Sequence, residues 1–354
     1  MQRDHFFALK QRSLQAGKFG GRSPIFMDKC FANSNLKIFL RLVLSRIGQA
    51  FLAIFGVSIL VWALLPLAEG DIAERTLKAR GVENPSALEI QAVREEFGLE
   101  KPLVIQYFSW LSKAVRGDFS VSYQSKRPVL TEIFERLPAT VLLAFAALML
   151  SLVFSISGAM VSAAFYEKLP DRAIQFLTQA SSAVPSFLLG LLILQFVVVG
   201  YGFGNVVANV SLSGVILPSF CLAILIFGSW TQILRANLLE ALNSRYALVA
   251  KVRGASEQRV LWRYALPNAL LQFLTIVGIG TGSLLGGAAI IETIFSWNGI
   301  GSYAVQAVAA RDLPVVQGFV IFATLIYIVS NLAVDIIVLW LDPRLRVAGQ
   351  NRLR

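Results

Sequence analysis

The chain has 354 residues, 56% of them hydrophobic and only 15% charged, with a formal net charge of +11. Its mean hydropathy of +0.66 excludes an ordinary soluble domain and points to an integral membrane protein. The basic residues are scattered over separate segments, so the charge reads as membrane topology and calls for no nucleic-acid partner.

Residues 1–35 are polar and Gly/Ser-containing and lack the apolar core of a signal peptide. They are expected to be a disordered cytoplasmic N-terminal extension, with Met27 a credible alternative start. A cytoplasmic arm touching a partner is the other reading. The first apolar span is predicted over Ile47–Ala68, since a membrane helix needs ~20 predominantly apolar residues.

Residues 69–136 are too many for a bare loop. Ser86-x-x-Glu89 is a capping box. Ile90, Val93 and Phe97 then follow at helical spacing, and Gly98 is the expected stop. A second amphipathic helix is predicted after Pro102, with Val104, Phe108, Leu111 and Val115 on one face and Gly117 as its end. Such helices suit either a packed cap over the bundle or a docking surface for a substrate-delivering protein.

The second span is predicted over Ala139–Phe165. No charge occurs from Ala173 to Leu234, which suits two spans joined at Gly200-Tyr201-Gly202-Phe203-Gly204-Asn205. Pro185 and Pro218 should kink or punctuate them. The fifth span is expected over about Ala265–Ile291 and the sixth over about Val315–Leu341. These runs are continuously apolar instead of alternating, which argues against a β-barrel. The fold class is therefore all-α, with six transmembrane helices.

Three Lys/Arg-rich segments fix the expected orientation. They are the N-terminal tail, the loop containing Arg235, Arg245, Lys251, Arg253, Arg259 and Arg263, and the C-terminal tail with Arg344 and Arg346. Six spans put all three on one side, so both termini are expected to be cytoplasmic and 69–136 extracytoplasmic. Cys30 and Cys221 should lie at different levels, so no disulfide is expected. His5 is the single histidine and no His/Cys cluster exists, so neither a metal site nor a cofactor site is expected.

The loop over residues 235–264 carries the strongest functional signal. Leu239, Leu242, Tyr246, Val249 and Val252 fall near helical spacing. Gly254 can take the left-handed conformation that ends this helix, and Ser256 can cap the next. Val260, Leu261 and Tyr264 continue the apolar face, so the expectation is helix, sharp bend, helix. An interfacial hairpin with snorkelling arginines would show the same pattern.

Within the spans, Gly278, Gly282 and Gly286 are spaced four apart, which lets helices approach closely. Ser182, Gly282, Gly286 and Glu292 are candidate lining of a translocation path. Glu292 sits at the outer end of the fifth span and also suits an interfacial position. Asp335 lies inside the sixth span, where an acid is costly; it can snorkel or pair with Arg344 or Arg346.

Glu240-Ala241, Gly254 and Leu266-Pro267 resemble the Glu-Ala-Ala loop of ABC importer permeases. The resemblance runs from about Leu36 to Arg346, and specifically to the first permease of peptide, nickel and related importers. It includes Gly70-Asp71, Phe97 to Tyr107, Gly117-Asp118-Phe119, Arg127-Pro128-Val129, Arg136 to Thr140 and Pro185-Ser186-Phe187. It continues with Gly286 to Trp297, Ala310 to Gly318 and Leu341-Asp342-Pro343-Arg344. Departures are Ala183 where the family favours Ser, beside Ser181 and Ser182, a short turn between spans three and four, and Tyr264 where His is common.

The resemblance implies a type I ABC importer permease fold over 36–346, followed by a cytoplasmic tail at 347–354, in a bacterial inner membrane. It implies that Glu240, Ala241, Tyr246, Ala250, Arg253 and Gly254 form the ATPase-coupling loop. The implied partners are a second homologous permease, two cytoplasmic ATP-binding subunits, an extracytoplasmic solute-binding protein and membrane lipid. No Walker A pattern occurs, so ATP hydrolysis belongs to another polypeptide. The solute is expected to be a peptide, nickel or a metal chelate, with Asp71, 126–140 and 301–305 leaning toward metal-type members. An ATP-independent channel or secondary transporter is the other class; it predicts path-lining charges, of which only Asp335 is a candidate.

Overall fold

A computed structural model describes residues 45–64, 71–79, 81–82, 84–97, 100–202, 210–211 and 213–341. The extension over 1–35, Cys30, Gly98, Gly204-Asn205, the side chain of Asp335 and the tail from Asp342 lie outside the described residues. The chain divides into two units, 1–48 with 342–354, and 49–341. Of the first, only 45–48 are described, and they are helical.

The second unit is helical, and among the described residues the only extended pairing is one bridge between Val121 and Pro128. In chain order α1 is Ser45–Leu64. It is followed by three short helices, α2 Ile72–Ala79, α3 Ala87–Phe97 and α4 Leu103–Val115. Next come α5 Val129–Ala164, α6 Leu169–Ala183 and α7 Ser186–Gly200, the last ending in a π-helical turn over Leu194–Gly200. Then α8 Ile216–Leu242, α9 Arg245–Val252 and α10 Glu257–Val260 lead through a π turn at Leu261–Ala265 into α11 Leu266–Ile294. Finally come α12 Ile300–Ala309 and α13 Leu313–Leu341.

Among the described residues five helices are long and apolar enough to cross a membrane, and the bent pair α6–α7 makes six if counted as one span. The third span is thus not straight: it turns by 105° between Ala183 and Ser186. Val184 is extended, with ψ of 126°, as steric conflict with a following proline requires. The second span begins ten residues before the predicted Ala139, and α5 reaches 36 residues.

The core lies where α5, α8 and α11 meet, around Leu143, Leu222, Leu234, Phe273, Ile291 and Trp297. Lipid tails are as apolar as leucine, so van der Waals fit holds these helices together more than the hydrophobic effect does. Small residues make the fit. A Cβ on Gly158 would stand 3.2 Å from Phe227 and Thr231, between α5 and α8. One on Gly282 would run into the Tyr327 ring of α13.

The capping box is present outside the spans. Ser86 N donates to Glu89 Oε2 at 2.7 Å and Glu89 N to Ser86 Oγ at 3.3 Å; the Ser86 bonds hold the Glu89 carboxyl below its ordinary value. Gly117 ends α4 at a φ of +82°. Helix α2 was not anticipated. Asp71 starts it, accepting from Ala73 N at 2.9 Å, and joins it to α3 through Arg94 at 2.7 Å. The predicted face of α4 does not pack inward: Val104, Phe108 and Val115 are exposed, and Tyr107 is its buried residue.

Candidate coupling segment and the enclosed polar clusters

Helix α8 runs to Leu242 and then breaks. Asn243 N bonds back to Leu239 O at 3.1 Å, and Ser244 Oγ donates to Ala241 O at 2.6 Å while capping Ala247 N at 3.4 Å. The segment therefore bends twice, at Ser244 and at Gly254, and not once. The apolar period runs unbroken through Asn243-Ser244, which hides the first bend from a pattern reading.

At the second bend Gly254 has a φ of +86°. Ala255 N donates to Ala250 O at 3.0 Å and Gly254 N to Lys251 O at 2.9 Å. This crossed pair is the Schellman arrangement, which satisfies the last carbonyls of α9. Ser256 then caps α10, accepting from Arg259 N at 3.4 Å. Pro267 lacks the N–H that a regular helix needs, and the preceding turn widens to π geometry, with Asn268 Nδ2 donating to Tyr264 O at 2.7 Å.

The predicted loop residues separate into two faces. Ala241 and Ala250 are buried; Ala250 packs with Ala247 and Val260 in a small satellite core. Glu240, Tyr246, Arg253 and Gly254 are exposed. So are Leu248, Val249 and Val252, the last 82% exposed. Small alanines inward let α9 sit close to the bundle, and its larger apolar side chains point away from it.

The candidate path residues do not form one wall. Ser182 is exposed, its hydroxyl donating to Thr178 O at 2.9 Å. Gly282 is closed off by Tyr327, whereas Gly286 is exposed with nothing within 4 Å of a would-be Cβ. Glu292 is not interfacial but fully enclosed. Its carboxylate accepts from Thr140 Oγ1 at 2.6 Å and from Ser302 N at 2.9 Å. Thr140 Oγ1 in turn accepts from Ile300 N at 2.9 Å, and Trp297 Nε1 donates to Ala139 O at 2.9 Å. The bonds join the end of α11 and the start of α12 to α5, so Glu292 lines no path in this conformation.

Among the described residues three further acids are buried, Glu132, Asp171 and Asp312, the last accepting from Ser122 Oγ at 2.6 Å; their partners are distant in sequence, which hides them from a pattern reading. Glu132 accepts from Tyr303 OH and from Ser125 Oγ, the latter at 2.9 Å. Asp171, on α6, accepts from Ser162 Oγ of α5, from Glu167 N at 2.9 Å, and from Arg235 Nε and Nη2 of α8 at 2.9 and 2.8 Å. Arg235 thus anchors three helices within two turns of Glu240, beyond serving as a topology marker.

Comparison with known proteins places this architecture. Residues 155–347 match the family described as binding-protein-dependent transport system inner membrane component. Residues 39–144 match the N-terminal family of the same membrane components. The glutathione transport system permease protein GsiC of Escherichia coli strain K12 is 31% identical over 309 residues, covering 87% of this chain and 99% of that protein. GsiC of Shigella flexneri serotype 5b aligns with the same identity and the same coverage of each chain. A solved amino acid ABC transporter with histidines superposes with a TM-score of 0.46 at 18% identity, over 59% of this chain and 91% of that chain. With two family matches in chain order on a bundle of membrane-length helices, this chain belongs to the binding-protein-dependent ABC importer permeases, the multi-pass inner-membrane components of those systems.

Proposed function

We propose that α9, with the turns at Ser244 and Gly254, is the surface through which a separate ATPase drives this permease. The observation that carries the reading is the outward exposure of Leu248, Val249 and Val252 beside Arg245, Lys251 and Arg253. An eight-residue helix with small residues inward and large apolar ones outward suits insertion into a partner's groove. Ala241 and Ala250 act from behind, by holding α9 against the bundle, and Glu240, Tyr246, Arg253 and Gly254 are the contact positions. Closure of the ATPases would displace α9 and, through α8, tilt the bundle as a rigid body.

The same reading puts the Lys/Arg-rich side, with both termini, in the cytoplasm, and 69–136 outside, where a solute-binding protein delivers its cargo. A second homologous permease completes the path and two ATP-binding subunits complete the importer. Gly286 and Ser182, both exposed, are the path residues that this arrangement leaves available. For the solute we propose a short peptide, because the similar GsiC proteins are named for glutathione transport; those names lend no support to nickel or a metal chelate. Kinship with importer permeases weighs against an ATP-independent channel or secondary transporter.

Val252→Glu is the direct test. It adds a charge to an 82% exposed side chain, so membrane insertion should be unchanged. Co-purification of the ATPase subunit should fall at least several-fold. Full co-purification with normal uptake would sink the docking role of α9.

A further inference from the structure

Helix α4 has three faces. Tyr107 and Trp110 face the bundle: Tyr107 OH lies 2.8 Å from Ser58 Oγ of α1, and Trp110 Nε1 donates to Gln317 Oε1 of α13 at 3.2 Å. Ser109, Ser112 and Arg116 are exposed along a polar strip that also carries Ile105, 51% exposed. Val104, Phe108 and Val115 are 65, 57 and 79% exposed. They recur at the four- and seven-residue spacing of a helical stripe, adjacent to the polar strip. A helix that only capped the bundle would have no use for an outward apolar stripe.

The contacts fix the depth of this helix. Gln317 is four residues into α13, about 6 Å from its start at about 1.5 Å per residue, directly after Arg311 and Asp312. Gln317 Nε2 also donates to Val61 O at 3.2 Å, so α1 meets α13 at the level where α4 does. Trp110 of α4 therefore lies alongside α13 about 6 Å inside its first residue, within the 5–10 Å immersion usual for an interfacial amphipathic helix. Helix α1 itself carries exposed apolar side chains, among them Ile59 and Leu60, as a lipid-facing span does. Trp110 and Tyr107 are the residue types enriched at that level.

We propose that α4 is an interfacial helix immersed in the membrane leaflet, its Val104–Phe108–Val115 stripe covered by lipid acyl chains and its Ser109–Ser112–Arg116 strip facing water. In the orientation given above this is the extracytoplasmic leaflet. The stripe is then not a docking surface for a solute-binding protein. Such a protein has to meet other parts of 69–136, such as the α2–α3 pair.

The test uses the full-length permease in phosphatidylcholine vesicles, with Cys30 and Cys221 replaced by Ser and a fluorophore on a single cysteine introduced as Phe108→Cys or Ser109→Cys. The lipid carries a nitroxide at carbon 5 of the acyl chain. The label at 108 should be quenched at least threefold more than the label at 109. Equal quenching would overturn the proposal. So would loss of quenching at 108 on adding the loaded solute-binding protein, which would show a protein and not lipid on the stripe. If Phe108→Cys does not insert, Val104→Cys carries the same comparison. Neither readout needs ATP or an ATPase, so the result stands apart from the docking role of α9.

Discussion

Arg235→Ala should destabilise the permease by about 3–5 kcal/mol, the usual cost of leaving one buried charge without its partner. Asp171 is 1% exposed, and Arg235 supplies two of its hydrogen bonds. Without them the carboxylate would keep Ser162 Oγ, Glu167 N and the Gln175 side chain. Thermal unfolding of the detergent-purified permease should show a midpoint lower by several degrees. The double variant Asp171→Ala/Arg235→Ala should recover at least half of that loss, because no charge is then stranded and the two sites are directly coupled. A single variant that unfolds with the parent would mean the pair holds nothing together.

Gly254→Val should insert normally and lose about tenfold in ATPase-coupled uptake. The cause is strain and not collision, since nothing lies within 4 Å of a Cβ built there. At a φ of +86° an L-residue costs roughly 1–2 kcal/mol, and a β-branched one is a genuine outlier. A tenfold change needs about 1.4 kcal/mol, so relief of the strain by unwinding the Schellman turn is enough to misplace α9. Gly254→Asn should restore most activity, because asparagine tolerates the left-handed region. Uptake and ATP hydrolysis stimulated by the loaded solute-binding protein are the paired readouts. Equal activity of the valine and asparagine variants would show that the bend does not matter.

What was legible in the sequence was local. The Ser86–Glu89 box, the stop at Gly117 and the left-handed Gly254 each depend on residues three to six apart, and each is present. The apolar runs gave the spans for the same reason. Pro185 marked a kink, but its 105° size depends on how α6 and α7 pack on α8 and α11, which no local pattern encodes. Helix α2 was missed because it is eight residues long; among its described side chains Ala73, Thr76 and Leu77 are buried. The candidate site was legible as a segment and not as a surface. Glu240, Tyr246, Arg253 and Gly254 face out, whereas Ala241 and Ala250 face in, because α9 is offset from α8 by the Ser244 turn. The Asp171–Arg235 and Glu292–Thr140 contacts join residues 64 and 152 apart, so only the folded bundle displays them.

The central claim is that the outward face of α9 meets the ATPase. A photo-crosslinking amino acid at Val252, in the importer assembled in its native membrane, tests it most directly, with the same group at the buried Ala250 as the control. The account predicts a crosslink from 252 to the ATP-binding subunit and none from 250, and so also places this side of the permease in the cytoplasm. Crosslinks from 252 to lipid alone would make the segment an interfacial hairpin and contradict the account.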